Sequence, residues 1–301
     1  MSPQPKYVSR REGAAAELVE SVDPIGPAPD DTPPDRPSAL DLARLSRHRV
    51  FPPGGEKLYR HLIRLVELSE DHEFVLAPCG RGVTARFLAR TSGAAGSGVD
   101  PDAELIEAAE AAARADKLSE RLQFDVGSLT DLPYQDDVFD VAIGEVGLAA
   151  AADPAAAVRE LVRVTKPMGT VVLAQLVWAG NVEPAHRRLI AEALGVQPFL
   201  LVEWKQILRE AGVVDLYVED WSDAAPSLRN PSAIGVLAES GSLRDRAGVL
   251  FRAWRRWGVR GLRSALEMRS EVRELITRER ILGLSLIRGT KWPATTDDSE
   301  G

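Results

Sequence analysis

The sequence predicts an α/β fold, a parallel sheet with helices on both faces. Three observations carry this. Between residues 73 and 176, short apolar or alternating runs take turns with helical segments, as in repeated βαβ units. The first apolar run ends in a glycine turn, Cys79-Gly80-Arg81-Gly82, which opens a helix. A carboxylate, Asp100, closes the following strand about 20 residues on.

Residues 1–38 are rich in Pro, Asp and Ala and cannot bury enough surface to order themselves, so a flexible tail is expected there. Residues 39–69 have helical periodicity, with Leu58, His61, Leu62, Leu65 and Leu68 on one face, after a Pro/Gly loop at 49–56. Glu73–Cys79 reads as a buried strand and Val83–Arg90 as the helix after the glycine turn. Gly96–Asp100 is a second strand, and Asp102–Arg114, nearly all Ala, Glu, Leu and Ile, a second helix. Leu122, Phe124 and Val126 alternate with polar residues as in a strand, and Phe139–Gly144 is another. Asp153-Pro154 supplies an N-cap and a first-turn proline for a helix that faces Ala157, Val158, Leu161, Val162 and Thr165 inward. Lys166-Pro167 is expected to end that helix before a buried strand at Gly169–Leu176. Beyond it, 181–212 read as helices, Val213–Trp221 as a strand, Leu243–Arg278 as two helices and Ile281–Lys291 as a last strand.

Composition narrows the function. The 301 residues are 45% hydrophobic and 27% charged, ordinary for a globular protein. A net charge of −8 argues against nucleic acid as the partner. No apolar run reaches membrane-spanning length, and the first eleven residues lack the apolar core of a signal peptide. The single cysteine, Cys79, excludes internal disulfides and suits a reducing cytoplasm. The four histidines show no ligand spacing, so no metal is expected.

The glycine turn and Asp100 together suit an adenosine-containing cofactor. The turn brings backbone close to the ligand, the helix start offers N–H groups, and the carboxylate can grip a ribose diol. Gly80-Arg-Gly-Val-Thr-Ala85 also fits the dinucleotide fingerprint, which leaves a nicotinamide enzyme open at this point.

The wider region 73–176 resembles the class I S-adenosylmethionine-dependent methyltransferases, in particular the small-molecule branch that includes the ubiquinone/menaquinone enzymes. Phe74–Gly82 is similar to that family's first motif and Gly98-Val99-Asp100-Pro101 to its second. Gly127-Ser128-Leu129-Thr130-Asp131-Leu132-Pro133-Tyr134 with Phe139-Asp140-Val141 is similar to the third. Asp153–Gly169 is similar to the helix and turn before the fifth strand. The resemblance implies a seven-stranded, mostly parallel sheet with an antiparallel last strand lying between strands five and six. It makes 39–301 one methyltransferase domain, with 222–280 a helical insertion. It implies S-adenosylmethionine as cofactor, held by Ala77, Pro78, Cys79, Gly80, Gly82, Asp100, Pro101, Ser128, Leu129 and Glu145. Within that set Asp100 takes the ribose, Ser128 and Leu129 border the adenine, and Glu145 faces the cofactor amine. Arg81 falls beside the methionine carboxylate.

The chain departs from the family at three positions. Leu76 stands where an acid is usual, Pro78 where a glycine is usual, and Ser128 where an acid is usual. Two readings follow: methyl transfer to a small apolar molecule, or a catalytically silent binding or regulatory protein on the same fold. Methyl transfer needs alignment more than side-chain chemistry. Glu145, Trp178, Asn181 and His186 lie at strand ends, and none is assigned as catalytic. In the insertion, Leu243, Ala247, Leu250, Phe251 and Trp254 form an apolar stripe flanked by Arg244, Arg246, Arg252, Arg255 and Arg256. It reads either as a lid helix with a solvated basic face or as a surface that docks anionic lipid or a lipid-like substrate.

Overall fold

The computed structural model describes residues 37–46, 51–225, 228, 243–266 and 270–293, so nearly all of the expected tail lies outside the described residues. Helix α1 (Ala39–Arg44) is short and held by a capping box. Ser38 Oγ accepts from the Asp41 N–H at 3.2 Å, and the Asp41 carboxylate accepts from the Ser38 N–H at 2.8 Å. Helix α2 (Gly55–Leu65) buries Leu58, Tyr59 and Leu62. His61, expected on that face, is only half-buried. Its Nε2 lies 2.7 Å from the Glu219 carboxylate, a polar partner that draws the ring to the rim.

Strand and helix then alternate as expected: β1 (Glu73–Ala77), α3 (Val83–Ser92), β2 (Ala95–Asp100), α4 (Ala103–Ala115), β3 (Leu122–Val126) and β4 (Phe139–Gly144). Asp102 caps α4 by accepting from the Glu104 N–H at 2.9 Å. Asp153 caps α5 (Pro154–Val164) by accepting from the Ala156 N–H at 2.9 Å, with Pro154 in the first turn. The next strand differs from expectation. β5 (Thr165–Trp178) starts directly after α5, because Lys166-Pro167 stays in the strand and the chain absorbs the extra residues as a register shift between Phe139 and Val141 of β4.

The rest comprises α6 (Pro184–Leu194), a two-residue strand β6 (Phe199–Leu200), α7 (Leu201–Glu210), β7 (Val213–Asp220), α8 (Leu243–Leu266), α9 (Ser270–Thr277) and β8 (Leu282–Lys291). α8 is broken at Gly258, where φ is 62° and ψ −148°. The sheet order is β3-β2-β1-β4-β5-β8-β7, with β6 beside β5. β8 runs antiparallel between β5 and β7, as the resemblance implies, and β6 makes the sheet eight-stranded rather than seven. Two residues in a loop carry no alternation by which a sequence could announce β6.

The order of strands locates the site. From β1 the chain winds outward through β2 and β3, and then returns to β1's other side with β4. Successive connections leave the sheet in opposite directions there, and a crevice opens beyond the carboxyl ends of β1 and β4. Phe74, Val75 and Leu76 of β1 are fully buried, so the loop that follows stands on a rigid base.

Candidate functional site

The segment Pro78–Arg81 lines that crevice. The Ala77–Pro78 peptide is cis, and the Cys79 N–H donates to the Val99 carbonyl at 2.8 Å, which ties the turn to β2. Gly80 and Gly82 adopt φ of +53° and +65°, the left-handed region that favours glycine. Their surroundings differ. A Cβ on Gly82 would come within 2.8 Å of the Phe124 ring, whereas one on Gly80 would meet nothing within 4 Å. Gly82 is there for packing, and Gly80 faces open space.

That space is a pocket of about 840 Å³, counting the part open to solvent. It is lined by Pro78, Cys79, Gly80, Arg81, Val83 and Thr84 of the turn and α3, by Asp100 and Leu105, and by Glu145, Val146 and Gly147 after β4. Leu40, Ala43, Arg44, Ser46 and Pro52 complete the wall. Of the residues expected from sequence, Pro78, Cys79, Gly80, Asp100 and Glu145 come together here. Ala77, Gly82, Pro101, Ser128 and Leu129 are not among the lining residues. Ser128 Oγ accepts from the Thr130 N–H at 3.2 Å in a local turn, Leu129 is buried, and Pro101 is exposed. Trp178, Asn181 and His186 do not line the pocket either.

Two buried carboxylates flank the turn, one on each neighbouring strand. Asp100, at the tip of β2, accepts from the Gly80 N–H at 2.9 Å and the Asp102 N–H at 3.0 Å. Burial pushes its carboxyl above the usual range, against the pull of those two N–H groups and of the Arg44 charge. Glu145, just past β4, is 7% exposed and is pushed up to about 7 by burial, with the Tyr59 and Thr84 hydroxyls opposing the shift. Its Oε1 is buried and has no hydrogen-bond partner. Gln175 of β5 fixes the backbone beneath it, donating to the Gly144 and Glu145 carbonyls at 3.1 and 2.7 Å.

Between the carboxylates, Cys79 is a packed apolar residue. Burial first, then the charges of Asp100 and Glu145, push its thiol well up, so it is not a nucleophile. Arg81 lines the pocket and donates from Nε and Nη2 to the Arg44 carbonyl at 3.4 Å, which ties α1 to the glycine turn. Arg44, Ser46, Tyr59, Thr84 and Gln175 were not foreseen from sequence. Only Tyr59 left a signal, its i, i+3 spacing with Leu62 on the buried face of α2.

The arrangement suits a ligand with a hydroxylated portion and a cationic portion. Asp100 is among the residues that line the pocket, and the orphaned Glu145 oxygen calls for a positive group or a donor. S-adenosylmethionine fits this donor set, with a ribose diol and a positively charged methionine end. Among the described residues no three His, Cys, Asp or Glu side chains converge as a metal site would require.

Comparisons with known proteins agree with this fold. The methyltransferase domain family matches residues 77–173. An uncharacterized protein of Haemophilus influenzae is 31% identical over 175 residues, covering 57% of this chain and 69% of that one. Methyltransferase GfsG of Streptomyces halstedii is 30% identical over 129 residues, 43% of this chain and 46% of that one. Norajmaline N-methyltransferase of Rauvolfia serpentina is 30% identical over 120 residues, 40% and 38% of the two chains. The chain thus spans less than half the length of the two named methyltransferases. Geranyl diphosphate C-methyltransferase of Streptomyces coelicolor A3(2), solved with Mg²⁺, geranyl diphosphate and S-adenosyl-L-homocysteine, superposes with a TM-score of 0.59 at 15% identity, over 78% of each chain. The [4+2]-cyclase SpnF superposes at 0.60 with 21% identity, over 78% of this chain and 80% of that one. At those identities the superpositions show the fold alone.

Proposed function

Because this chain belongs to the class I S-adenosylmethionine-dependent methyltransferases, we propose that it transfers the cofactor's methyl group to a small, apolar molecule. The observation that carries the site assignment is the pair of buried carboxylates, Asp100 and Glu145, on either side of the open cradle at Gly80. When bound, the cofactor supplies a methyl carbon already activated by its sulfonium.

In this reading Asp100 holds the ribose hydroxyls, and the Gly80 backbone allows close approach. Glu145 replaces the carboxylate that Leu76 cannot supply, so that the charge on the cofactor's methionine end is met from β4 rather than β1. Pro78, Cys79, Gly82, Ala77 and Pro101 shape the cradle, and Ser128 and Leu129 border the adenine. Leu40, Ala43, Pro52 and Val146 give the pocket an apolar wall that excludes water and favours an apolar acceptor. Such a site works by alignment, and a general base is needed only if the acceptor must lose a proton. A cytoplasmic setting fits the single cysteine.

Calorimetry with S-adenosylmethionine, S-adenosylhomocysteine and NAD tests the proposal. Both sulfur compounds are expected to bind and NAD is not; no binding of either at millimolar concentration would end the proposal. Asp100→Ala is expected to lower affinity for both sulfur compounds at least ~10-fold, since it removes a charge-assisted acceptor. Unchanged affinity would remove the ribose contact.

A further inference from the structure

The outward face of α8 is built unlike the rest of the surface. Ala247, Phe251 and Trp254 follow i, i+4, i+7 spacing, and the last two are 58% and 50% exposed, with ring centroids 6.0 Å apart. Beyond the break at Gly258, Val259 and Leu266 are 75% and 59% exposed. Four of the nine large hydrophobics exposed among the described residues thus fall in Leu243–Leu266, two on each side of the break. Charge is concentrated there too. Residues 247–266 hold five arginines and no acid, on a chain whose net charge is −8. Arg255, Arg256, Arg260 and Arg263 are exposed, and the Arg256 guanidinium lies over the Trp257 ring at 5.2 Å.

The opposite face of α8 has its partner. Val249 and Ala253 pack on Leu42 of α1 in a small cluster separate from the main core. Arg252 Nε donates to the Leu45 carbonyl at 2.8 Å. The exposed aromatics are therefore not the helix's means of joining the domain.

We propose that this face of α8 docks the protein on an anionic lipid surface. Exposed aromatic and aliphatic side chains flanked by arginine are what an in-plane amphipathic helix uses: the rings enter the headgroup boundary and the guanidinium groups meet lipid phosphate. The charge complementarity selects lipid over the alternatives. A second copy paired through this same face would set the two basic helices against each other. The contact would place the α1 wall of the pocket one helix away from the bilayer, where an apolar acceptor would be concentrated.

The test uses the full chain and flotation with two kinds of vesicle, phosphatidylcholine alone and phosphatidylcholine mixed with phosphatidylglycerol. Flotation with the mixed vesicles, weakened by salt, is expected. Arg255→Glu with Arg256→Glu should lower it ~10-fold or more, and Phe251→Ser with Trp254→Ser should lower it with the charges intact. Circular dichroism and cofactor titration of each variant check that it is folded. Three results would overturn the proposal: equal flotation with both vesicles, flotation unchanged in the folded variants, or a stable dimer in sedimentation that the Phe251/Trp254 pair abolishes. Binding to duplex DNA in place of vesicles, lost with the arginines, would overturn it as well.

Discussion

Replacing Glu145 by Gln should make the free protein less sensitive to pH and make it bind its cofactor more weakly. The two effects have one origin. Burial pushes the carboxyl from 4.5 to about 7, so the folded state holds a proton that the unfolded chain releases. Below pH 4.5 both states are protonated and nothing is lost. As pH rises from there to about 7, stability falls, and above 7 the loss is complete. At 1.36 kcal/mol per pKa unit the loss is about 3 kcal/mol. In urea unfolding, the fall in stability between pH 4.5 and 8 should therefore shrink by up to about 3 kcal/mol in Glu145→Gln. Binding has the opposite sign. A cationic ligand favours the ionised carboxylate, so wild-type affinity for S-adenosylmethionine should climb about tenfold per pH unit towards pH 7 and then level off. Glu145→Gln should flatten that climb and, at pH 7.5, lose a charge-assisted contact of ~1.5–3 kcal/mol, or ~10- to 150-fold in Kd. Calorimetry at several pH values from 5.5 to 7.5 reads both. A variant that keeps wild-type affinity with the same pH slope would refute the assignment of Glu145 to the cofactor's positive end, whatever its stability does.

The two glycines of the turn give a paired prediction. Gly82→Ala should cost ~2–4 kcal/mol in urea unfolding, because its Cβ would lie 2.8 Å from the Phe124 ring and 3.0 Å from Ala109 in a left-handed conformation. Gly80→Ala has room for its Cβ and should cost only ~1 kcal/mol of stability, yet weaken cofactor binding more than Gly82→Ala does. Equal losses of affinity would mean that Gly80 is not the cradle. Arg252→Ala should loosen α1 without unfolding the sheet, since it removes the bond to the Leu45 carbonyl. Faster amide exchange over Leu42–Ser46 and a several-fold weaker cofactor Kd are expected, and unchanged exchange there would show that α8 does not hold α1.

What could be read from the sequence, and what could not, divides by range. Gly80 and Asp100 were legible because a turn and the tip of the neighbouring parallel strand are fixed relative to each other by sheet geometry; the Gly80 N–H to Asp100 bond spans only that unit. The β8 position between β5 and β7 was legible through the resemblance and not from alternation. Arg44 was not legible. It reaches the pocket because Arg81 and Arg252, one before and one after most of the sheet in the chain, grip the carbonyls of Arg44 and Leu45, and no local pattern encodes such a contact. Tyr59 was missed for a smaller reason. A tyrosine and a histidine two residues apart compete for the inward position, and the Glu219 carboxylate, far off in sequence, settles it by taking His61.

The departures in the first motif gain a physical sense from the same geometry. Leu76 is fully buried in β1 between two strands, so a carboxylate there would need partners that this core does not offer. Pro78 packs where a side chain on Gly147 would come within 2.7 Å of its ring, so the proline and that glycine fit each other across the pocket wall. Glu145 lies immediately before this contact, on a backbone pinned by Gln175. The apolar Leu76, the Pro78–Gly147 packing and the buried Glu145 therefore form one consistent arrangement. If the negative charge has moved from β1 to β4, the double replacement Leu76→Asp with Glu145→Gln should fail to restore cofactor affinity, because the β1 position is now enclosed by core. Recovery of wild-type affinity in that double variant, read by calorimetry, would show that the departures in the first motif are incidental.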